Sequence, residues 1–169
     1  MIYKELNDVL ESLPFEAILA GGCVRDTVLG KDIKDYDAYA WNTSDTRIKL
    51  YEAYPDHVLA DNELGYAACA FVVYNTGAFA ADGKPIQVML LDKVEIGDCA
   101  TPQEYVDKHF DFGICKATYH KLGGLHLTEA FNQDVANKTI TFYQSDLNWQ
   151  NPERVERMLA KFPDYTLVK

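Results

Sequence analysis

The sequence predicts an α+β protein in which helices flank a mixed, mostly antiparallel sheet, and three observations carry that expectation. Residues 16–20 form a short apolar run that ends in Gly21-Gly22 and passes at once into a helical turn over 24–29, the layout of a strand handing its chain to a helix N-terminus. Residues 67–74 and 85–91 are β-branched, aromatic and aliphatic runs around the turn signals Asn75-Thr76-Gly77 and Asp82-Gly83. The second of these runs is too apolar on both faces to lie at an exposed edge, so it belongs inside a sheet. Leu6, Val9, Leu10 and Leu13 recur at helical spacing, which places an amphipathic helix over 2–13, ended by Pro14 and packing a face against that sheet.

The remaining elements follow in order. Residues 36–41 read as a second strand, after which Thr43-Ser44-Asp45 can cap a helix over 46–54, stopped by Pro55. A helix over 102–109 opens on Pro102; residues 113–119 read as extended or helical, Gly123-Gly124 as a turn, 138–143 as a strand and 152–162 as the last helix. No internal repeat or low-complexity linker is present.

The chain's 169 residues leave room for one domain, expected over 1–169, with the 48% hydrophobic content of an ordinary globular core. No run approaches the roughly 20 apolar residues of a membrane span, and the N-terminus lacks the basic-then-apolar layout of a signal peptide, so a cytoplasmic protein without a membrane partner is expected. Cys23, Cys69, Cys99 and Cys115 are irregularly spaced and contain no Cys-x-x-Cys pair, which fits reduced, buried thiols better than a zinc site or a disulfide framework. Asp and Glu total 26 against 16 Lys and Arg, a net charge of −10. Any nucleic-acid affinity then needs a local basic groove, for which Lys108, Lys116, Lys121, Lys138, Arg154, Arg157 and Lys161 in the second half are the candidates.

The chemistry concentrates in Gly21-Gly22-Cys23-Val24-Arg25-Asp26-Thr27-Val28-Leu29-Gly30 and the following Lys31-Asp32-Ile33-Lys34-Asp35-Tyr36-Asp37. Backbone N–H groups at a glycine turn before a helix can point at an anion. Asp35 and Asp37, two apart at the start of a strand, project from one face, where like charges need a hard cation such as Mg²⁺ to neutralise them. Taken singly, a Gly-Gly pair fits any tight turn and an Asp-x-Asp is commonly a solvated loop; joined within seventeen residues, they combine a phosphate cradle with a metal-binding pair.

This segment resembles the GGxVRDxLLG…KDxD signature of the class II tRNA nucleotidyltransferases (CCA-adding enzymes) and bacterial poly(A) polymerases, within the DNA polymerase beta superfamily. The resemblance continues through Asp111-Phe112-Gly113-Ile114-Cys115-Lys116-Ala117-Thr118-Tyr119, similar to RRDFTINALAY. It also takes in Phe131 to Ile140 and, near the end, Asn151-Pro152-Glu153-Arg154-Val155-Glu156-Arg157, similar to the base-reading EDxxRxxR helix. It implies a nucleotidyltransferase fold and a head domain without the family's helical neck, body and tail. It further implies Mg²⁺-dependent transfer of NMP from ATP or CTP to a tRNA-like RNA 3′-hydroxyl, with pyrophosphate released. Under it, Asp35 and Asp37 are the catalytic metal ligands. Gly21, Gly22 and Arg25 hold phosphate, and Asn151, Arg154 and Arg157 complete the nucleotide pocket. Read on their own, Arg154 and Arg157 could equally be a solvated face paired with Glu153 and Glu156, Arg25 an ion-pair partner of Asp26 or Asp35, and Asp111 a cap or a neighbour of the metal.

The chain departs from the family at four places. His109 and Phe110 stand where the family has paired arginines, Asn151 where its helix has an acid, Gln87 where its strand has a carboxylate, and Asp92 where that strand closes on an arginine. An amide both donates and accepts, so Asn151 cannot reproduce a carboxylate's code for the base. These departures and the acidic charge keep two rivals open: NMP transfer to a protein or small molecule, and a nucleotide-binding module without turnover.

Overall fold

A computed structural model describes residues 3–54, 58–60, 71–92, 99–121, 124–143 and 152–169. Helix α1 (Lys4–Ser12) buries Leu6, Val9 and Leu10, as its spacing predicts. Strand β1 (Ile18–Ala20) leads through Gly21 into α2 (Gly22–Leu29), which Gly30 closes in the left-handed conformation; β2 (Tyr36–Trp41) follows. Helix α3 (Ser44–Ala53) starts two residues earlier than expected because Thr43, the first of the three candidate capping residues, is the cap, its hydroxyl accepting from the Thr46 N–H at 3.1 Å.

Next come β3 (Val58–Ala60), β4 (Phe71–Phe79) and β5 (Pro85–Leu91). The expected turn at Asn75-Thr76-Gly77 is instead part of β4, where the register against β5 shifts between Asn75 and Phe79, a bulge that absorbs the glycine without ending the strand. Helix α4 (Pro102–His109), a 3₁₀ turn (Gly113–Cys115), β6 (Ala117–His120), β7 (Gly124–Leu127), α5 (Glu129–Asn137), β8 (Thr139–Thr141), α6 (Pro152–Lys161) and β9 (Thr166–Val168) are the remaining elements among the described residues.

Among the described residues seven strands form one sheet in the order β3-β4-β5-β2-β1-β6-β7, antiparallel throughout except for β2 beside β5; β8 and β9 pair in parallel separately. The mixed, mostly antiparallel sheet flanked by helices is the one the sequence predicts, and β5 indeed lies inside it. One face, with Leu19, Ala38, Ala40, Val88 and Leu90, packs in the main core with Leu6 and Leu10 of α1, Val24 of α2 and Leu50 of α3. The other face, with Ile18, Ala20, Tyr39, Met89 and Leu91, is covered by Tyr105 and Val106 of α4. Asp37, Tyr39 and Met89 of that face and Tyr105 and His109 of α4 line the cleft described below.

Gly113 is required by close approach: a Cβ there would lie 2.7 Å from the Asp134 carboxylate. Asp134, 1% exposed, spends its oxygens on the Thr139 hydroxyl, the Thr141 N–H and the Thr141 hydroxyl, tying α5 to β8. No helix among the described residues is long and apolar enough to cross a membrane.

Candidate active site

The site is built on the turn between β1 and α2. Gly21 holds φ 74° and ψ −132°, a region that a side chain disfavours, and a Cβ would meet the Phe110 ring at 3.4 Å. Its N–H donates to the Ala117 carbonyl at 3.1 Å and its carbonyl accepts from the Arg25 N–H at 2.9 Å, which opens the helix. The N–H groups of the first turn of α2 therefore have no helical acceptor and carry the positive end of the helix dipole. They line a cleft of about 470 Å³ whose walls come from both sheet and helices.

Asp35 and Asp37 line the same cleft, Asp35 just ahead of β2 and Asp37 as its second residue. Asp37 is in register with Gln87 of β5, the parallel neighbour, and Gln87 also faces the cleft. The Asp37 Oδ1 atom is inaccessible and, among the described residues, accepts no hydrogen bond. Burial first, then the charge of Asp35, push the Asp37 carboxyl up to about 7, against the opposing pull of Arg154 and Lys34. An orphaned carboxylate oxygen beside a second carboxylate is the donor set that a hard cation satisfies. Among the described residues no group of three or more His, Cys, Asp or Glu converges on one point. The neighbouring Cys23 thiol, pushed up to about 12 chiefly by burial, is protonated and no nucleophile at neutral pH.

Both arginines nearest the carboxylates are held by partners. Arg25, 6% exposed, donates from Nε to Asp26 at 2.8 Å and from Nη1 to the sulfurs of Cys115 and Met158, each at 3.4 Å, while Lys161 of α6 takes the other Asp26 oxygen. The ion pair with Asp26 weighed against phosphate binding is thus present, but buried; Arg25 also lines the cleft, where a Cβ at Gly22 would lie 3.4 Å from its Nη2. Arg154 forks onto Asp111 through Nε at 2.8 Å and Nη2 at 3.0 Å and lies over the Phe112 ring, so Asp111 orients Arg154 from the same cleft that Asp35 and Asp37 line. Arg157 and Lys34 line the cleft exposed and, among the described residues, make no ion pair. Asn151 lies outside the described residues.

Lys34 was not singled out from the sequence, although its place one residue before Asp35 in the Lys-Asp-x-Asp run is a legible signal. His109 and Phe110 form an aromatic wall: the His109 ring stacks on Tyr105 at 5.3 Å, and Phe110 packs on Tyr39 at 5.7 Å. The expected basic groove needs correction. Lys116 is 6% exposed, its ammonium donating to the Asp107 carbonyl at 2.9 Å and sitting over the Tyr143 ring, because it fastens the end of α4. Lys108 pairs with Glu104 and Lys138 with Asp164. Of the expected groove cations, Arg154, Arg157 and Lys161 do line the cleft, beside Lys34 and Arg25.

A family model described as Gad2, Gabija anti-defense 2 family protein, matches residues 2–138. No curated protein matches in sequence. Among solved structures, the Thermotoga maritima CCA-adding enzyme complexed with tRNA_CCA is similar with 17% identity and a TM-score of 0.59, covering 97% of this chain and 38% of its own. A CCA-adding enzyme in complex with ATP shares 16% identity, TM-score 0.57, covering 97% and 37%. The Bacillus stearothermophilus CCA-adding enzyme in complex with CTP shares 15% identity, TM-score 0.56, covering 99% and 42%. The fold is therefore that of the nucleotidyltransferases, while this chain spans about two fifths of the length of these neighbours. The resemblance read from the motifs holds at the level of fold; the family matched in sequence is a different one.

Proposed function

The chain belongs to the Gabija anti-defense 2 family, and we propose that it is a divalent-cation-dependent nucleotidyltransferase that moves NMP from an NTP to an acceptor hydroxyl and releases pyrophosphate. The observation that carries this reading is the inaccessible, unpartnered Asp37 Oδ1 beside Asp35, in one cleft with the Gly21-Gly22 turn. Asp35 and Asp37 would hold Mg²⁺, which supplies Lewis-acid stabilisation of the charge that develops on the transferring phosphate. The first-turn N–H groups of α2 bind phosphate oxygens, Lys34 and Arg157 neutralise the triphosphate, and Asp111 keeps the Arg154 fork turned away from free rotation. The reading is supported by neighbours of the same fold complexed with ATP and with CTP.

For the acceptor we infer an RNA 3′-hydroxyl, supported by the fold shared with an enzyme complexed with tRNA_CCA. A second reading, a protein or small-molecule hydroxyl, is favoured by the net charge of −10 and by the burial of Lys116 away from any groove. Incubation with each α-labelled NTP, with Mg²⁺ or EDTA, and with total RNA, cell extract or the Gabija components separates them. Cation-dependent label in an RNase-sensitive product supports the RNA reading, and label in a protease-sensitive or small product replaces it. No label with any NTP or acceptor would leave a binding module.

If Arg157 meets the triphosphate, Arg157→Ala is expected to raise the apparent KM for NTP roughly tenfold or more, the worth of one charge-assisted hydrogen bond. Glu153→Ala, at an exposed position on the same helix, is expected to leave KM unchanged. Equal, small effects at both positions would return α6 to a solvated helix.

A further inference from the structure

We propose, resting on the nucleotidyltransferase reading above, that Gln87 limits the cleft to a single divalent cation per chain. Four carboxylates line the cleft among the described residues: Asp26, Asp35, Asp37 and Asp111. Protein cations already neutralise two of them. Asp26 is taken by Arg25 and Lys161, and Asp111 by the fork of Arg154. Asp35 and Asp37 remain, and their two negative charges balance one dication.

A second cation, about 3.5–4 Å from the first as in two-metal centres, needs a further anionic oxygen within reach of the same carboxylates. The position that could supply it is 87. The parallel register places Gln87 directly beside Asp37 on the adjoining strand, about 4.8 Å away as neighbouring strands lie, and on the same cleft wall. A carboxylate there would make a three-carboxylate floor. The carboxamide brings no charge, and its nitrogen donates rather than accepts. Of the other residues lining the cleft, Ala20, Tyr39, Met89 and Phe110 bring no anionic side chain, and Lys34 adds positive charge. A second dication would thus meet an amide, apolar groups and an ammonium. Gln87 is a positioning residue in this scheme: it sets how many cations the Asp35–Asp37 pair can share with a triphosphate.

The test counts Mn²⁺ bound to the full chain by electron paramagnetic resonance, with α,β-methylene-ATP and, separately, α,β-methylene-CTP, against nucleotide alone. One Mn²⁺ per wild-type chain is expected, one in Gln87→Ala, and two in Gln87→Glu with the spectrum broadened by coupling between neighbouring ions. Two Mn²⁺ in the wild type, or one in a Gln87→Glu chain whose circular dichroism and melting show it folded, would overturn the proposal. Should Gln87→Glu fail to fold, the wild-type count decides alone. No bound Mn²⁺ in the wild type, or a count unchanged by Asp37→Ala, would remove the nucleotidyltransferase reading itself and this inference with it, which separates the two failures.

Discussion

Asp37→Ala, and separately Asp35→Ala, is expected to abolish label transfer while leaving a chain that folds at least as well as the wild type. Either change removes one donor of a two-carboxylate seat, and several kcal/mol of transition-state stabilisation go with it, roughly a thousandfold or more in rate. Retained turnover in both variants would sink the assignment. Stability moves the other way. The Asp37 carboxyl titrates near 7 in the folded chain, against about 3.9 in an unfolded one. The folded state therefore binds the proton more tightly, and without divalent ions the contribution of this group to stability falls as pH rises from about 4 to about 7 and levels off above. Asp37→Asn removes that slope. Urea midpoints at pH 5 and pH 8 in EDTA should differ more for the wild type than for the variant, and added Mg²⁺ should raise the wild-type midpoint at pH 8 but not that of Asp37→Asn. Identical slopes would show that Asp37 carries no such strain.

The parts of this site that sequence alone conveyed are those set by local rules. Gly21-Gly22 between an apolar run and a helix dictates the turn, and the spacing of two around the start of β2 is matched by Asp35 and Asp37 lining one cleft, with only Asp37 inside the strand. The rest depends on distant pairing. Nothing within the Arg154 helix says that its fork is taken, because Asp111 lies 43 residues away and only the fold joins them. Asp26 is adjacent to Arg25 in the chain, yet its burial under Lys161, 135 residues on, is what turns an ordinary surface pair into a buried network. Lys116 looked like a groove cation because charge is visible in a sequence and exposure is not. Likewise β7, α5 and β9 escaped notice: β7 and β9 span only four and three residues, too short for alternation to register, and α5 buries little beyond Phe131 and Asp134.

The network around Asp26 carries the largest expected loss of stability. Asp26 is 2% exposed and holds Arg25 on one oxygen and Lys161 on the other, joining α2 to α6. Among the described residues the remaining partners of Arg25 are the Met158 and Cys115 sulfurs and the face of Phe162, 5.2 Å away. Asp26→Ala leaves that guanidinium buried and uncompensated, at a cost of about 3–5 kcal/mol. Against a total stability of about 5–15 kcal/mol, this brings the chain close to unfolding. The penalty belongs to the orphaned charge rather than to the pair, so Arg25→Met combined with Asp26→Leu should recover much of it in urea unfolding. A single Asp26→Ala within about 1 kcal/mol of wild type, or a double variant less stable than the single, would contradict this account. Lys161→Met isolates the tie to α6. The Lys161 side chain is 30% exposed, so the stability change should stay under about 1 kcal/mol, while α6 loses its strap and the KM for NTP rises as it does in Arg157→Ala.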